Sequence, residues 1–187
     1  MSIFQSKMFK KLSTLFKKKK TIYKDYKLPH EILYKRILIK TYNNWFYQKL
    51  KISEDINGRF EIIVLHIFII FHCLNNTDKK NSFFKKNLLE TFIDELETTY
   101  REIGISDNTF SKKMKIAAQS IYGRLDVYSQ TIENIDLFNE SLQRNIWPLE
   151  DQDTNKVHEL KEYVYKKIKK YKDKSFEEII DISKQGF

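Results

Sequence analysis

Along this chain apolar residues recur at three- and four-residue intervals far more often than in alternation, the period of helices that bury one face. Between His30 and Leu50 they fall at Ile32, Leu33, Ile37, Leu38, Tyr42, Trp45 and Phe46, which predicts one long, aromatic-rich helix. "ISEDING" supplies capping residues for a second helix from about Ile56 to Leu74, and "NNTDKKNS" reads as a polar loop. Phe84, Leu88, Phe92, Leu96 and Tyr100, four apart, predict a third over 83–103, with Gly104 placed as its C′ glycine. Asp107 is the expected N-cap of a fourth, about 109–131, carrying Phe110, Met114, Ala118, Ile121, Tyr122, Leu125 and Tyr128. Ile132 to Trp147, Val157 to Lys172 and the short "FEEIIDI" complete the series. Thr21 to Leu28 has no periodicity and runs into Pro29, a linker signal. The expectation is an all-α fold: one compact domain of about six to seven helices over 29–187, preceded by a basic N-terminal segment and linker over 1–28.

The second helix carries the most apolar stretch, "NGRFEIIVLHIFIIFHCL". Its uninterrupted part, Ile62 to Leu74, falls short of the roughly 18 to 20 residues that span a bilayer and contains two histidines, so a buried central helix is expected instead. At about 100° per residue, Arg59 and His66 share one face while Glu61, Leu65, Phe68 and His72 share the opposite one. Apolar residues fill the remainder, the pattern of a helix surrounded by others.

Composition agrees with helices. Glycine (4) and proline (2) are scarce, and aromatic residues make up 14%. The single cysteine, Cys73, excludes an internal disulfide, suits a reducing compartment and reads as a small buried hydrophobe. No cleavable secretory signal is expected from the lysine-rich start.

Charge changes the picture at one place. Of the net +9, residues 1–20 hold seven lysines and no acid, so the rest of the chain carries only +2. Phe4, Met8, Leu12, Leu15 and Phe16 recur there at helical spacing beside Lys7, Lys10 and Lys11, and Lys17, Lys18, Lys19 and Lys20 follow. A basic amphipathic segment of this kind is suited to an anionic membrane surface, with Phe4, Met8, Leu12 and Phe16 entering the interface and Lys10, Lys11 and Lys17 to Lys20 meeting headgroups.

Enzymatic and metal chemistry find little support. His66 and His72 lie on different faces of one helix, and no Glu-x-x-His, zincin, P-loop, dinucleotide or nucleophile-elbow pattern occurs. Glu90, Asp94, Glu95, Glu97 and Glu102 fit the solvated face of a helix. No catalytic residue, metal or cofactor is expected.

Arginine is more informative, at five against 29 lysines. Arg36, Arg59, Arg101, Arg124 and Arg144 read either as internal helix ties or as a partner-binding surface needing planar, bidentate donors. Two follow glycine, in "NGRF" and "YGRL"; Gly123 inside a helical pattern predicts close helix approach or a kink.

Taken together, "DINGRFEIIVLHIFIIFHCL", "LLETFIDELETTYREIGISDNTFSKKMKIAAQSIYGRLDVY" and "LQRNIW" resemble the ubiquinol-cytochrome c chaperone family. The likeness is best over residues 30–147. Thr99-Tyr100 departs from it, standing where the family has a less aromatic pair before "REIG". The resemblance implies a non-enzymatic assembly factor for a newly made hydrophobic respiratory subunit such as cytochrome b. It further implies a cytoplasmic protein peripheral to the inner membrane, or one on the matrix side of a mitochondrion. Arg59, Arg101, Arg124 and Arg144 lie inside the matched motifs, and with His66, Tyr122, Gly123 and Asn145 they are the expected partner-binding residues. The basic tail and "SKKMK" leave a second reading open, a ribosome- or nucleic-acid-associated helical module. A small partner protein is compatible with both readings, and neither assigns an oligomeric state.

Overall fold

The central helix starts where Asp55 Oδ1 accepts a hydrogen bond from Gly58 N at 2.9 Å, satisfying one of the amides that every helix start leaves unpaired. In the computed structural model, which describes residues 27–74, 77–148 and 154–184, this helix is Ile56–Cys73. Every residue from Glu61 to Ile70 is buried. At its other end Lys85 Nζ donates to the carbonyl oxygens of Phe71 and Leu74, both at 2.7 Å, placing a cation where the helix dipole favours one.

Numbered in chain order, the described helices are α1 (Pro29–Lys40), α2 (Ile56–Cys73), α3 (Lys79–Glu102), α4 (Asp107–Thr131), α5 (Ile135–Ile146), α6 (Thr154–Tyr171) and α7 (Phe176–Ser183), with a π-helical turn at Trp45–Lys49 between the first two. The fold is all-α, as the periodicity predicts. α2 packs on α4 and α6, α5 bridges those two, and α1 packs on α3 and α7. Phe46, Phe68, Phe92, Phe138 and Tyr128 fill the space between α2 and its neighbours. Fully burying side chains of this size contributes roughly 1.5 to 3 kcal/mol each, before conformational entropy is subtracted.

The helix expected over 30–50 is broken. Tyr42 N and Asn43 N bond to carbonyls three residues back, Asn43 Oδ1 accepts from Trp45 N at 2.9 Å, and the Tyr47 hydroxyl donates to the Thr41 carbonyl. These side chains compete for backbone groups that a continuing helix would use. The break turns Phe46 into the core between α2 and α6, where its ring meets those of His66 and Tyr163. Elsewhere the shifts are small. Asp78 starts α3 inside the expected loop by accepting from Lys80 N, Ser106 rather than Asp107 is the N-cap of α4, and Asn134 starts α5 three residues late. Gly104 ends α3 at φ +76°, as a C′ glycine should.

At 18 residues α2 is, among the described residues, long and apolar enough to cross a membrane, so the expectation that no stretch reaches that length is corrected. About two-thirds of it is buried against other helices, the placement of a core helix. Cys73 is half-buried rather than enclosed; its thiol donates to the Ile168 carbonyl at 3.7 Å, and burial pushes its pKa up to about 11. Residues 1–26, which carry the membrane-contact candidates from Phe4 to Lys20, lie outside the described residues.

Candidate functional site

The two polar sides of α2 have different fates. On one, the Arg59 guanidinium carbon lies 4.9 Å from the centre of the Tyr42 ring and Nη2 lies 3.7 Å from Glu54 Oε1, with 6% of the residue exposed. Two turns on, His66 is fully buried. Its Nδ1 lies 2.7 Å from the Ile62 carbonyl, which can only accept, so Nδ1 carries the proton and Nε2 accepts from the Tyr163 hydroxyl at 2.7 Å. Burial holds its pKa down at about 3; the Ile62 hydrogen bond opposes it, and Lys40 and Lys167 add smaller pushes downward. His66 is therefore a neutral core histidine, and the expectation that it meets a partner is corrected: the side chain it meets is Tyr163.

On the other side Glu61 Oε2 accepts from Arg124 Nε at 2.6 Å, joining α2 to α4. Arg124 Nη1 also donates to the Ser120 carbonyl, and the guanidinium lies 5.4 Å from the Phe60 ring centre. Burial raises the Glu61 pKa and Arg124 opposes the rise. This ion pair forms the floor of a groove of about 540 Å³. One wall is the first turn of α2, with Asn57, Gly58 and Phe60; another is α4, with Ile116 and Ser120; the third is the end of α5, with Arg144, Asn145 and Trp147, and Tyr100 closes one corner.

Local structure holds each wall. The chain before α2 crosses its first turn so closely that a Cβ on Gly58 would lie 1.9 Å from the Ser53 carbonyl oxygen. Trp147 Nε1 donates to the Leu50 carbonyl at 3.0 Å and pins the end of α5 to the segment before α2. The first half of α4 is mostly exposed, and Ile116 stands 52% exposed at the groove edge. Guanidinium and amide donors thus face apolar side chains across an open trough, an arrangement that can bind an extended peptide through its carbonyls while accepting apolar side chains.

Of the expected partner-binding residues, Arg124, Arg144 and Asn145 come together here, from the consecutive helices α4 and α5. Arg59 does not line the groove. Arg101 is exposed in the last turn of α3, paired with Glu97 Oε1 through Nε and Nη2 and 4.2 Å from the Phe110 ring centre. Tyr122 is 57% exposed, and Gly123 beside it would meet nothing within 4 Å as an alanine, so the expected close helix approach there is corrected. Arg36, left open between tie and surface, is a tie: it donates to the Ile180 carbonyl and, at 2.7 Å, to Ser183 Oγ. Sequence reasoning missed Ile116, Tyr100 and Trp147 as lining residues. Glu61 had a readable signal, since a carboxylate within an apolar helix demands a buried cation. Among the described residues no group of three or more His, Cys, Asp or Glu is placed to hold a metal.

The family model described as ubiquinol-cytochrome C chaperone matches residues 48–183, which include every wall of the groove. The chain belongs to the ubiquinol-cytochrome c chaperone family. A solved structure, the Cbp3 homolog from Brucella abortus, superposes with a TM-score of 0.73 at 24% identity, covering 89% of this chain and 91% of its own, and has the same fold. A search of curated proteins finds no significant match. As a ubiquinol-cytochrome c chaperone the protein is non-enzymatic, and its family role implies a respiratory subunit as partner.

Proposed function

We propose that the groove between α2, α4 and α5 holds an extended segment of a newly made hydrophobic subunit, cytochrome b of ubiquinol-cytochrome c reductase. The observation that carries this reading is the gathering of Arg124, Arg144 and Asn145 around Ile116 and Trp147 in one open trough. A nascent membrane subunit offers unpaired backbone carbonyls and apolar side chains, which these donors and apolar walls complement. A photoactivatable residue placed at Ile116 or Arg144 in cells assembling the complex tests it. Cytochrome b adducts from both positions, and none from Glu90 on the exposed face of α3, are expected. Equal adducts from Glu90, or none from the groove, would overturn the reading.

The N-terminal segment is proposed to rest on anionic lipid, through Phe4, Met8, Leu12 and Phe16 and the lysines from Lys10 to Lys20. Each lysine near such a surface contributes about 1 kcal/mol, enough for reversible attachment. This places the chaperone at the inner membrane, on the cytoplasmic side in a bacterium or the matrix side in a mitochondrion. Flotation with anionic vesicles is expected for the full chain and lost on deleting residues 1–20; equal flotation of both, or equal flotation with neutral vesicles, excludes the role. The ribosome- or nucleic-acid-associated reading draws on Lys112, Lys113 and Lys115, all exposed on the first half of α4. It requires RNA binding that weakens steeply with salt.

A further inference from the structure

Behind α2, away from the groove, a second set of side chains has no role in the chaperone reading. Lys40 ends α1 and Lys167 lies on α6, and their Nζ atoms stand 5.7 and 5.4 Å from the centre of the same Tyr163 ring. Both side chains are half-buried, and neither has a carboxylate partner among the described residues. Lysines nearby are served differently: Lys49 reaches Glu159 at 2.9 Å and Lys161 reaches Glu162 at 3.3 Å.

Among the described residues, the charges that act on the pair are all of one sign. Lys170 acts on Lys40, while Lys40, Lys170 and Lys166 act on Lys167; together with burial, the larger cause, they lower both pKa values, Lys167 to about 8. Beneath them lie the neutral His66 and the Tyr163 hydroxyl that donates to it, so α2 supplies no compensating anion. On the side of α7, Asp181 is already engaged by Lys184 and by the field of Arg36. Lys40 also opens onto a cleft of about 580 Å³ lined by Arg36, Lys184, Ile39 and Tyr42, which gives a ligand access.

We propose that Lys40 and Lys167 form a binding site for a phosphate group, either free or carried on a lipid headgroup. Two ammonium groups set over one aromatic ring, with Lys170 adding to the field, repel each other when the site is empty, and a compact dianion removes that repulsion at a single point. A carboxylate brings only one charge. An RNA backbone would need a row of cations along its path, whereas Lys40 and Lys167 converge on one ring. The site stands on α1 and α6 and does not depend on the groove's being the client site.

Lysine side-chain NMR of the full chain, titrated with inorganic phosphate against sodium chloride of equal ionic strength, tests the proposal. Saturable shifts at Lys40 and Lys167 are expected with phosphate alone, and the Lys167 pKa should rise by about one unit, because a bound anion favours the charged amine. K40Q and K167Q should each weaken binding at least tenfold while K49Q leaves it unchanged; where a glutamine variant fails to fold, the wild-type titration still decides. Dihexanoyl phosphatidic acid separates the two sources: binding tenfold tighter than phosphate assigns a lipid headgroup, and equal binding assigns free phosphate. Shifts identical to those in chloride, shifts spread equally over Lys49 and Lys86, or binding of an RNA oligonucleotide with neither phosphate probe binding would each overturn it.

Discussion

In Asn57-Gly58-Arg59-Phe60 the glycine is pressed against the Ser53 carbonyl and the arginine is buried beside Tyr42 and Glu54. In Tyr122-Gly123-Arg124-Leu125 the glycine faces open space, and the arginine crosses to Glu61 to build the groove floor. The two Gly-Arg pairs look alike in sequence, yet glycine is the constrained member of the first and arginine the working member of the second. A dipeptide does not carry a role; the surroundings of each atom assign it. Of the expected interaction surface, Arg59 and His66 consequently belong to the core, Arg124, Arg144 and Asn145 open onto the groove, and Arg101, Tyr122 and Gly123 lie exposed outside it.

The comparison breaks most readily at Gly58. Gly58→Ala should cost about 2 to 3 kcal/mol in denaturant unfolding, because backbone must move to admit the methyl group. An unchanged midpoint would mean that the first pair is no more constrained than the second.

Behind Arg59, His66 gives the buried side a pH signature. Its folded pKa near 3 lies below the usual histidine value, so the unfolded chain binds the proton more tightly between those limits. Stability from this residue is full above about pH 6.5 and lost as pH falls toward 3, roughly 2 kcal/mol of it between pH 7 and pH 5. Urea melts at the two pH values should show this loss, and His66→Gln should remove that part of the pH dependence.

Arg124→Met leaves the Glu61 carboxylate buried without its cation. The loss should be about 2 kcal/mol at pH 7, below the range for a fully buried pair because Arg124 is partly solvated. Since the folded pKa of Glu61 is already raised and would climb further, the loss should shrink as acid neutralises the group. A pH-independent loss would point to packing instead.

Gly123→Ala should act in the opposite direction to Gly58→Ala, stabilising by roughly 0.5 to 1 kcal/mol as an exposed mid-helix glycine is replaced. Smallest is Arg144→Ala, which should stay within about 0.5 kcal/mol of wild type in thermal melts. That variant should nevertheless lower photocrosslinking from Ile116 several-fold, separating the groove's binding role from its structural one.

Much of this molecule was readable before any coordinates. The 3.6-residue period located the helices, Gly104 ended α3 as expected, and an apolar stripe running all round α2 marked it as the central helix. Periodicity is a local property, so it could not foresee that Asn43 and Tyr47 would break the first helix and turn Phe46 inward. The site was half legible. Arg124, Arg144 and Asn145 stood out because arginine is rare here and because they sit in family-like motifs, whereas Ile116 and Trp147 were ordinary apolar residues until α4 and α5 were placed beside α2.

By itself the sequence determined the helical class, the burial of α2 and the family, because each follows from residue type at fixed spacing along one chain. Only the tertiary structure decided which arginines face solvent, which glycine is crowded and where α2, α4 and α5 leave a groove. Those are properties of packing between segments, and exposure is set by the atoms a side chain meets across space.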